Sequence, residues 1–298
     1  MLLKEIDKPS AVNNRHPVDF LNLYDTTAIK ISKVVTQSYS TSFSLATSLL
    51  KKQHRDAIYA IYGFVRLADE IVDSFHEYPK EHLLNKIEAD LKESLEQGIC
   101  INPVLHSFQM AVKKYNIPFS YIRAFLDSMK ADLLVKSYST KQLAGEYIYG
   151  SAEVVGLMCL RVFTDGNASH FDALKEPAKK LGSAFQKVNF LRDLKNDTGN
   201  LDRVYFPELT RDKFTELTKK KIVTEIESEF DEALKGIQKL PDDAKVAVLT
   251  AYYYYRILLL KIKNTPAENI LESRIRISNL RKFYLLIKAK FVCQFNLI

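Results

Sequence analysis

Two pairs of aspartates carry the chemistry this chain can offer: Asp69 and Asp73 in DAIYAIYGFVRLADEIVDSF, and Asp193 and Asp197 in LGSAFQKVNFLRDLKNDTG. A spacing of four puts both carboxylates of a pair on one face of a helix, where they can hold divalent cations against a polyphosphate. Between Ala57 and Asp73 the only charged residues are Arg66, Asp69, Glu70 and Asp73. Desolvation opposes such a stripe on an otherwise apolar helix unless ions, partners or a wet cavity face it. Tyr62, Arg66, Asp69 and Asp73 follow in steps of four, three and four, so they share one surface. The plainer reading is a solvent-facing acidic pair with Arg66 and Glu70 joined as an ion pair. Against it, Asp73 and Asp197 both stand late in their helices, where the helix dipole disfavours an anion without a cation.

Hard oxygen ligands at this spacing suit Mg²⁺, which keeps several waters and completes its shell with substrate phosphate. Two to three such ions would neutralise a departing diphosphate. Arg66 and Arg192 can grip phosphate oxygens through their planar forks, or pair with the neighbouring acids. The aromatics Phe43, Tyr62, Phe64, Tyr147, Phe185 and Phe190 fill core or line the site. Where they line it, their ring faces support a carbocation without quenching it.

The elements that must position these groups are helical. With 9 Gly and 9 Pro in 298 residues, the apolar-rich chain favours long helices, in one domain or two merged halves. Residues 1–27 are polar and hold Pro9 and Pro17, which reads as an extension before a catalytic domain over 28–298. Patterning predicts helices over about 28–50 with a break at the Ser/Thr cluster, then 54–74, 80–97 stopped by Gly98, 103–115, 119–136, one running from Ser139 or Thr140 toward Gly150, and 154–163. Further helices are expected over 177–195 and onward to Gly199, then 221–238, 242–263 and 278–290. Helix 119–136 carries Asp127 and Asp132 as exposed or ligand-facing acids. Gln186, Asn189, Asp193 and Asp197 fall near one side of theirs.

Several function classes are disfavoured. A net charge of +7 suits anionic metabolites or lipid headgroups, but no Arg/Lys array or zinc-finger spacing marks a nucleic-acid binder. Cys100, Cys159 and Cys293 have neither CxxC spacing nor an even count, which fits a reducing, cytoplasmic compartment. The N-terminus lacks a signal-peptide core, and no charge-free segment reaches bilayer-spanning length. The basic, apolar RISNLRKFYLLIKAK near the C-terminus suits peripheral membrane contact, or packing with its lysine stems snorkelling to water.

Three stretches, TSFSLATSLLKKQHRDAIYAIYGFVRLADEIVD, EYIYGSAEVVGLM and LGSAFQKVNFLRDLKNDTGNLDRVYFP, resemble in order the signature regions of the squalene/phytoene synthases, above all the bacterial phytoene synthases. The similarity runs over roughly residues 35–290. It implies an all-α, single-domain isoprenoid-synthase helical bundle with a central cavity, and a Mg²⁺-dependent head-to-head condensation of two prenyl diphosphates through a cyclopropyl diphosphate. By this resemblance Asp69, Asp73, Asp193 and Asp197 bind Mg²⁺. Tyr62, Arg66, Tyr147 and Arg192 contact diphosphate or assist its departure, joined by Ser40, Asn189, Arg203, Arg274 and Lys282. Phe43, Ala152, Val155, Gly156 and Gln186 line the prenyl channel or permit close helix approach.

The expected product is phytoene, from two geranylgeranyl diphosphates, in carotenoid synthesis. The rivals are dehydrosqualene or squalene from farnesyl diphosphate, with NADPH required only for squalene, and a non-catalytic helical assembly protein that keeps the fold. Three positions depart from the family pattern: Asn196-Asp197 for Glu-Asp, Asp202-Arg203 for Gly-Arg, and Ala152-Glu153 for Ala-Gly. Glu153 is the most unusual, because a carboxylate beside an apolar channel must point away or be paired.

Overall fold

The computed structural model describes residues 20–199, 203–211, 214–272, 274–295 and 297, with the side chains of 196–199, 210 and 211 left outside the description. Helices follow one another as α1 (Phe20–Tyr39), α2 (Thr41–Thr47), α3 (Lys52–Asp73), α4 (Lys80–Gln97), α5 (Pro103–Lys114), α6 (Phe119–Ala131) and α7 (Lys141–Ile148). A π turn over Tyr149–Glu153 joins α7 to α8 (Val154–Phe163). The long α9 (Ala168–Gly199) and the short α10 (Pro207–Arg211) precede α11 (Glu216–Ile237), α12 (Asp242–Lys263), α13 (Ala267–Glu272) and α14 (Asn279–Gln294).

Local chemistry explains most of the boundaries. Ser40 breaks the first helical stretch: its backbone is extended at φ −144° and its hydroxyl accepts from the Phe43 N–H at 3.2 Å, capping α2. Asn102 caps α5 by accepting from the N–H groups of Val104 and Leu105, with Pro103 in the first turn. Gly98 closes α4 at φ 84°, a conformation that glycine adopts without penalty. Thr140, one of the two expected caps, accepts from Leu143 N–H at the start of α7.

Four boundaries differ from expectation by about five residues or more. Helix α1 starts at Phe20 rather than Ala28, while residues 1–19 of the expected extension lie outside the described residues. Helix α6 stops at Ala131 rather than 136, and α11 begins at Glu216 rather than 221, where Thr215 supplies the cap. Helix α9 starts at Ala168, nine residues before the expected Pro177. Asn167 accepts from the His170 N–H and opens the helix, leaving the proline inside it.

The apolar interior forms two clusters. One gathers Phe64, Leu84, Leu105, Phe125 and Leu157 from α3 to α8; the other gathers Leu191, Ile226, Phe230, Leu258 and Ile270 from α9 to α13. Helix α8 and the π turn lie close against α9. A Cβ on Gly182 would come within 2.8 Å of the Ala152 carbonyl oxygen, and one on Gly156 within 3.1 Å of the Ala178 carbonyl oxygen. The small residues in the second and third motifs therefore let two backbones approach.

Candidate active site

A cavity of about 1280 Å³ lies between the two clusters. Helix α3 contributes Tyr62, Arg66, Asp69 and Asp73 to its wall, so the stepped surface expected from the sequence turns inward. Helix α9 contributes Gln186, Asn189, Arg192 and Asp193. Ser40, Phe43, Tyr147, Ala152, Val155, Gly156, Arg203, Arg274 and Lys282 also line the cavity. The side chain of Asp197 lies outside the described residues.

The first acidic face is crowded. Asp69 forms no hydrogen bond or ion pair among the described residues, since Arg66 turns to Glu70 and lies 4.2 Å over the Tyr39 ring. Burial, then repulsion from Asp73, pushes the Asp69 carboxyl up to about 7, with Arg66 opposing. Asp73 is held by Arg203 Nη1 at 3.1 Å. A third acid, Asp132, accepts from the Tyr147 hydroxyl at 2.6 Å and lies 3.9 Å from Arg203. Burial raises its carboxyl to about 6, while Arg203 and Tyr147 pull it down. Arg203 reaches these acids because the chain beyond α9 pairs with the segment after α6. Val204 N–H donates to the Lys136 carbonyl at 2.8 Å, and Tyr138 N–H to the Val204 carbonyl at 3.0 Å.

The second face is clamped by cations. Asp193 accepts from Arg192 Nε at 3.1 Å and also pairs with its Nη2, while Arg274 Nε stands 2.6 Å away. Burial works to lower the Arg192 pKa, but the bond and charge of Asp193 outweigh it and hold the guanidinium firmly protonated. Asn189 accepts from the Tyr255 hydroxyl at 3.2 Å. Lys282 donates to Thr41 Oγ1 at 2.8 Å, and burial lowers its pKa.

The rest of the wall is hydrocarbon and ring. Phe43 stacks on Tyr62 at 4.8 Å and Phe185 on Tyr255 at 4.0 Å; Ile61, Val155, Leu160, Phe163, Leu174 and Leu240 continue the lining. Burial pushes the Tyr62 hydroxyl up to about 12 and Tyr147 well above its ordinary value, so both stay protonated.

Some expectations move. Phe64 does not line the cavity: two residues from Tyr62 it faces the other side of α3, stacked on Phe108 at 4.1 Å. Arg66 and Arg192 line the cavity but pair with neighbouring acids. Asp127 is solvent-exposed, whereas Asp132 faces the site. Glu153 points away from the cavity, 3.7 Å from Lys179, which explains how the channel tolerates it. Tyr254, Tyr255 and Tyr205 also line the site. A run of four tyrosines gives no hint which ring turns inward.

Among the described residues no three acidic, His or Cys side chains already converge as a metal cluster. The donor set nevertheless fits a hard dication. The carboxylate of Asp69 is buried and repelled by the more exposed Asp73, and among the described residues it has no hydrogen-bond or ion-pair partner. Phosphate oxygens and water would complete the shell of an ion held there.

A bundle of helices that turns two acidic faces into one apolar cavity defines a class of enzymes acting on prenyl diphosphates. The family model for squalene/phytoene synthase matches residues 36–281, and the chain belongs to that family. A 4,4'-diapophytoene synthase of Staphylococcus haemolyticus is 24% identical across 86% of this chain and 95% of its own length. A chloroplastic phytoene synthase 2 of Oryza sativa subsp. japonica is 28% identical across 79% of this chain and 63% of its own length. Among solved structures, a dehydrosqualene synthase superposes with a TM-score of 0.79 at 24% identity, covering 93% of this chain and 99% of its own. The squalene synthase HpnC of Alicyclobacillus acidocaldarius gives a TM-score of 0.72 at 18% identity, with 85% and 97% covered. The all-α fold is thus that of the family, whose common reaction is a diphosphate-releasing, head-to-head prenyl condensation. No single member dominates these likenesses.

Proposed function

We propose that the protein condenses two farnesyl diphosphates head to head and releases dehydrosqualene, with proton loss ending the reaction. The observation that carries the condensation is the cavity itself: acids and arginines from α3 and α9 line one shared chamber whose remaining wall is apolar. The farnesyl chain rests on the 4,4'-diapophytoene and dehydrosqualene synthases among the relatives, which match over nearly their full lengths. A second reading, geranylgeranyl diphosphate to phytoene, is favoured by cavity size. The volume of about 1280 Å³ exceeds the roughly 300–1,000 Å³ of most ligand pockets, and Ala46, Thr47, Ala233, Gly236, Ala247 and Ala251 keep the lining small.

In this mechanism Asp69, Asp73, Asp193 and Asp197 would hold Mg²⁺, which supplies charge neutralisation to the departing diphosphate. Arg66, Arg192, Arg203, Arg274 and Lys282 line the same cavity and place further positive charge in it. The allylic C–O bond of the first substrate breaks there, the double bond of the second attacks the cation, and loss of a proton to the departing diphosphate closes the cyclopropane ring. Aromatic faces of Phe43, Tyr62 and Phe185 stabilise positive charge, and the apolar part of the wall offers no nucleophile to capture it. The cyclopropyl diphosphate loses its own diphosphate, rearranges and gives up one proton. Tyrosines with raised pKa values are not anionic bases, so released diphosphate accepts that proton.

Purified protein given Mg²⁺ with farnesyl or geranylgeranyl diphosphate, with and without NADPH, tests the reading through the hydrocarbon formed. Dehydrosqualene without NADPH is expected. Preferential phytoene formation would transfer the assignment to the longer chain, and squalene appearing only with NADPH would transfer it to the reductive branch. No diphosphate release from either substrate would favour the assembly protein.

A further inference from the structure

Helix α14 presents an apolar stripe that is left exposed among the described residues. Leu285, Leu286 and Ala289 bury its inner side against the body. On the outer side Leu280, Tyr284, Ile287 and Phe291 follow in steps of four, three and four, with Phe283 and Phe295 beside them. All six are more than half exposed or at its edge, from 82% for Leu280 to 50% for Ile287. At 3.6 residues per turn, Arg281 and Lys288 fall along one margin of this stripe and Lys290 along the other. All three are exposed. Residues 274–298 contain Arg274, Arg276, Arg281, Lys282, Lys288 and Lys290 and no acid at all.

We infer that the outer face of α14 docks in the plane of an anionic lipid surface. An apolar stripe edged by cations on both sides is the pattern of a helix lying at the boundary between headgroups and acyl chains. At 16 residues α14 is too short to span a bilayer. A water-facing helix has no use for four large apolar groups in a row, and a protein partner of this charge pattern would need an acidic rim. Docking would also serve the chemistry. Lys282 on α14 and Arg274 just before it line the cavity, so the membrane-facing helix adjoins the chamber. The purpose rests on the proposed function, since both the prenyl substrate and its hydrocarbon product partition into lipid; the docking itself does not.

Vesicle co-sedimentation of the full chain, without substrate, tests the inference independently of catalysis. Binding is expected to vesicles of phosphatidylglycerol with phosphatidylcholine, to fall with salt, and to be weak on phosphatidylcholine alone. The pair Arg281→Glu and Lys290→Glu should weaken it more than tenfold, at about fivefold for each lost cation. The triple change Phe283→Ser, Ile287→Ser and Phe291→Ser should abolish it. Both variants should keep wild-type activity on detergent-dispersed substrate, which also reports correct folding. Absence of binding to anionic vesicles, or equal binding to neutral ones, would overturn the inference. So would a wild-type dimer in light scattering that the serine variant converts to monomer while vesicle binding is unchanged, because the stripe would then belong to a second copy.

Discussion

The two acidic faces share a spacing and little else. On α3, Asp69 has no hydrogen-bond or ion-pair partner among the described residues and is driven toward neutrality by burial and by Asp73. On α9, Asp193 lies between Arg192 and Arg274 and shares its charge with both. An i, i+4 pair therefore fixes which way two carboxylates point, but the counter-charge that decides their state arrives from elsewhere: Arg203 comes from 130 residues away, Arg274 from 81. The face with the uncompensated acid has the greater need of an added cation, and the clamped face has the greater supply of groups for an anion.

This contrast predicts unequal losses of activity. Asp69→Asn should lower kcat about 10³-fold at saturating Mg²⁺, the scale of removing a key electrostatic group. Asp193→Asn should lose about tenfold less, because Arg192 and Arg274 are freed to hold diphosphate directly. Rates of diphosphate release under single-turnover conditions measure both, and equal losses would erase the distinction between the faces.

The arginines sharpen it further. Arg203 is 9% exposed and holds the buried Asp132 as well as Asp73, so Arg203→Ala should destabilise the fold by about 3 kcal/mol by stranding an acid, as seen in urea unfolding. Arg274 is half exposed, and its pairing with Asp193 belongs to the weak class of about 1 kcal/mol or less. Arg274→Ala should leave stability nearly unchanged and lower the half-saturating Mg²⁺ concentration by at most about fivefold, because Asp193 loses a competitor. A destabilisation by Arg274→Ala as large as that of Arg203→Ala would mean the two clamps are equivalent.

How much of this was legible in the sequence follows from the range of each interaction. Helices α4 and α12 match the expected spans, and α3 lies within about two residues of its own, because periodicity and end signals such as Gly98 act within a few residues. The same local logic fails at Pro177, where a proline that suits a first turn is embedded in a longer helix opened by Asn167. Asp69, Asp73 and Asp193 were visible as chemistry from spacing, while Arg203, Arg274 and Lys282 came only through the family resemblance. Asp127 and Asp132 were both readable as exposed or ligand-facing, and only tertiary contact with Tyr147 and Arg203 decides that Asp132 is the one that faces the site. Tyr255 was hidden among identical neighbours, and its bond to Asn189 and its stacking on Phe185 arise only in the folded chain.

The smallest expected effect isolates the unpaired acid. An aspartate ordinarily titrates near 3.9, and Asp69 in the fold is raised to about 7. The folded state therefore keeps this proton over a range where the unfolded chain has lost it, so the contribution of Asp69 to stability falls as pH rises from about 4 to about 7. Asp69→Asn removes the carboxylate while preserving its shape. In chelator-treated protein the variant should melt about 3 °C above the wild type at pH 8, on a scale of about 2–4 °C per kcal/mol, and the gap should close by pH 5, where Asp69 is already neutral. Added Mg²⁺ at pH 8 should shrink the gap as well, because a bound dication removes the repulsion that the substitution relieves. A gap of the same size at both pH values would mean that Asp69 carries no unusual charge burden, and the first face would then be as well compensated as the second.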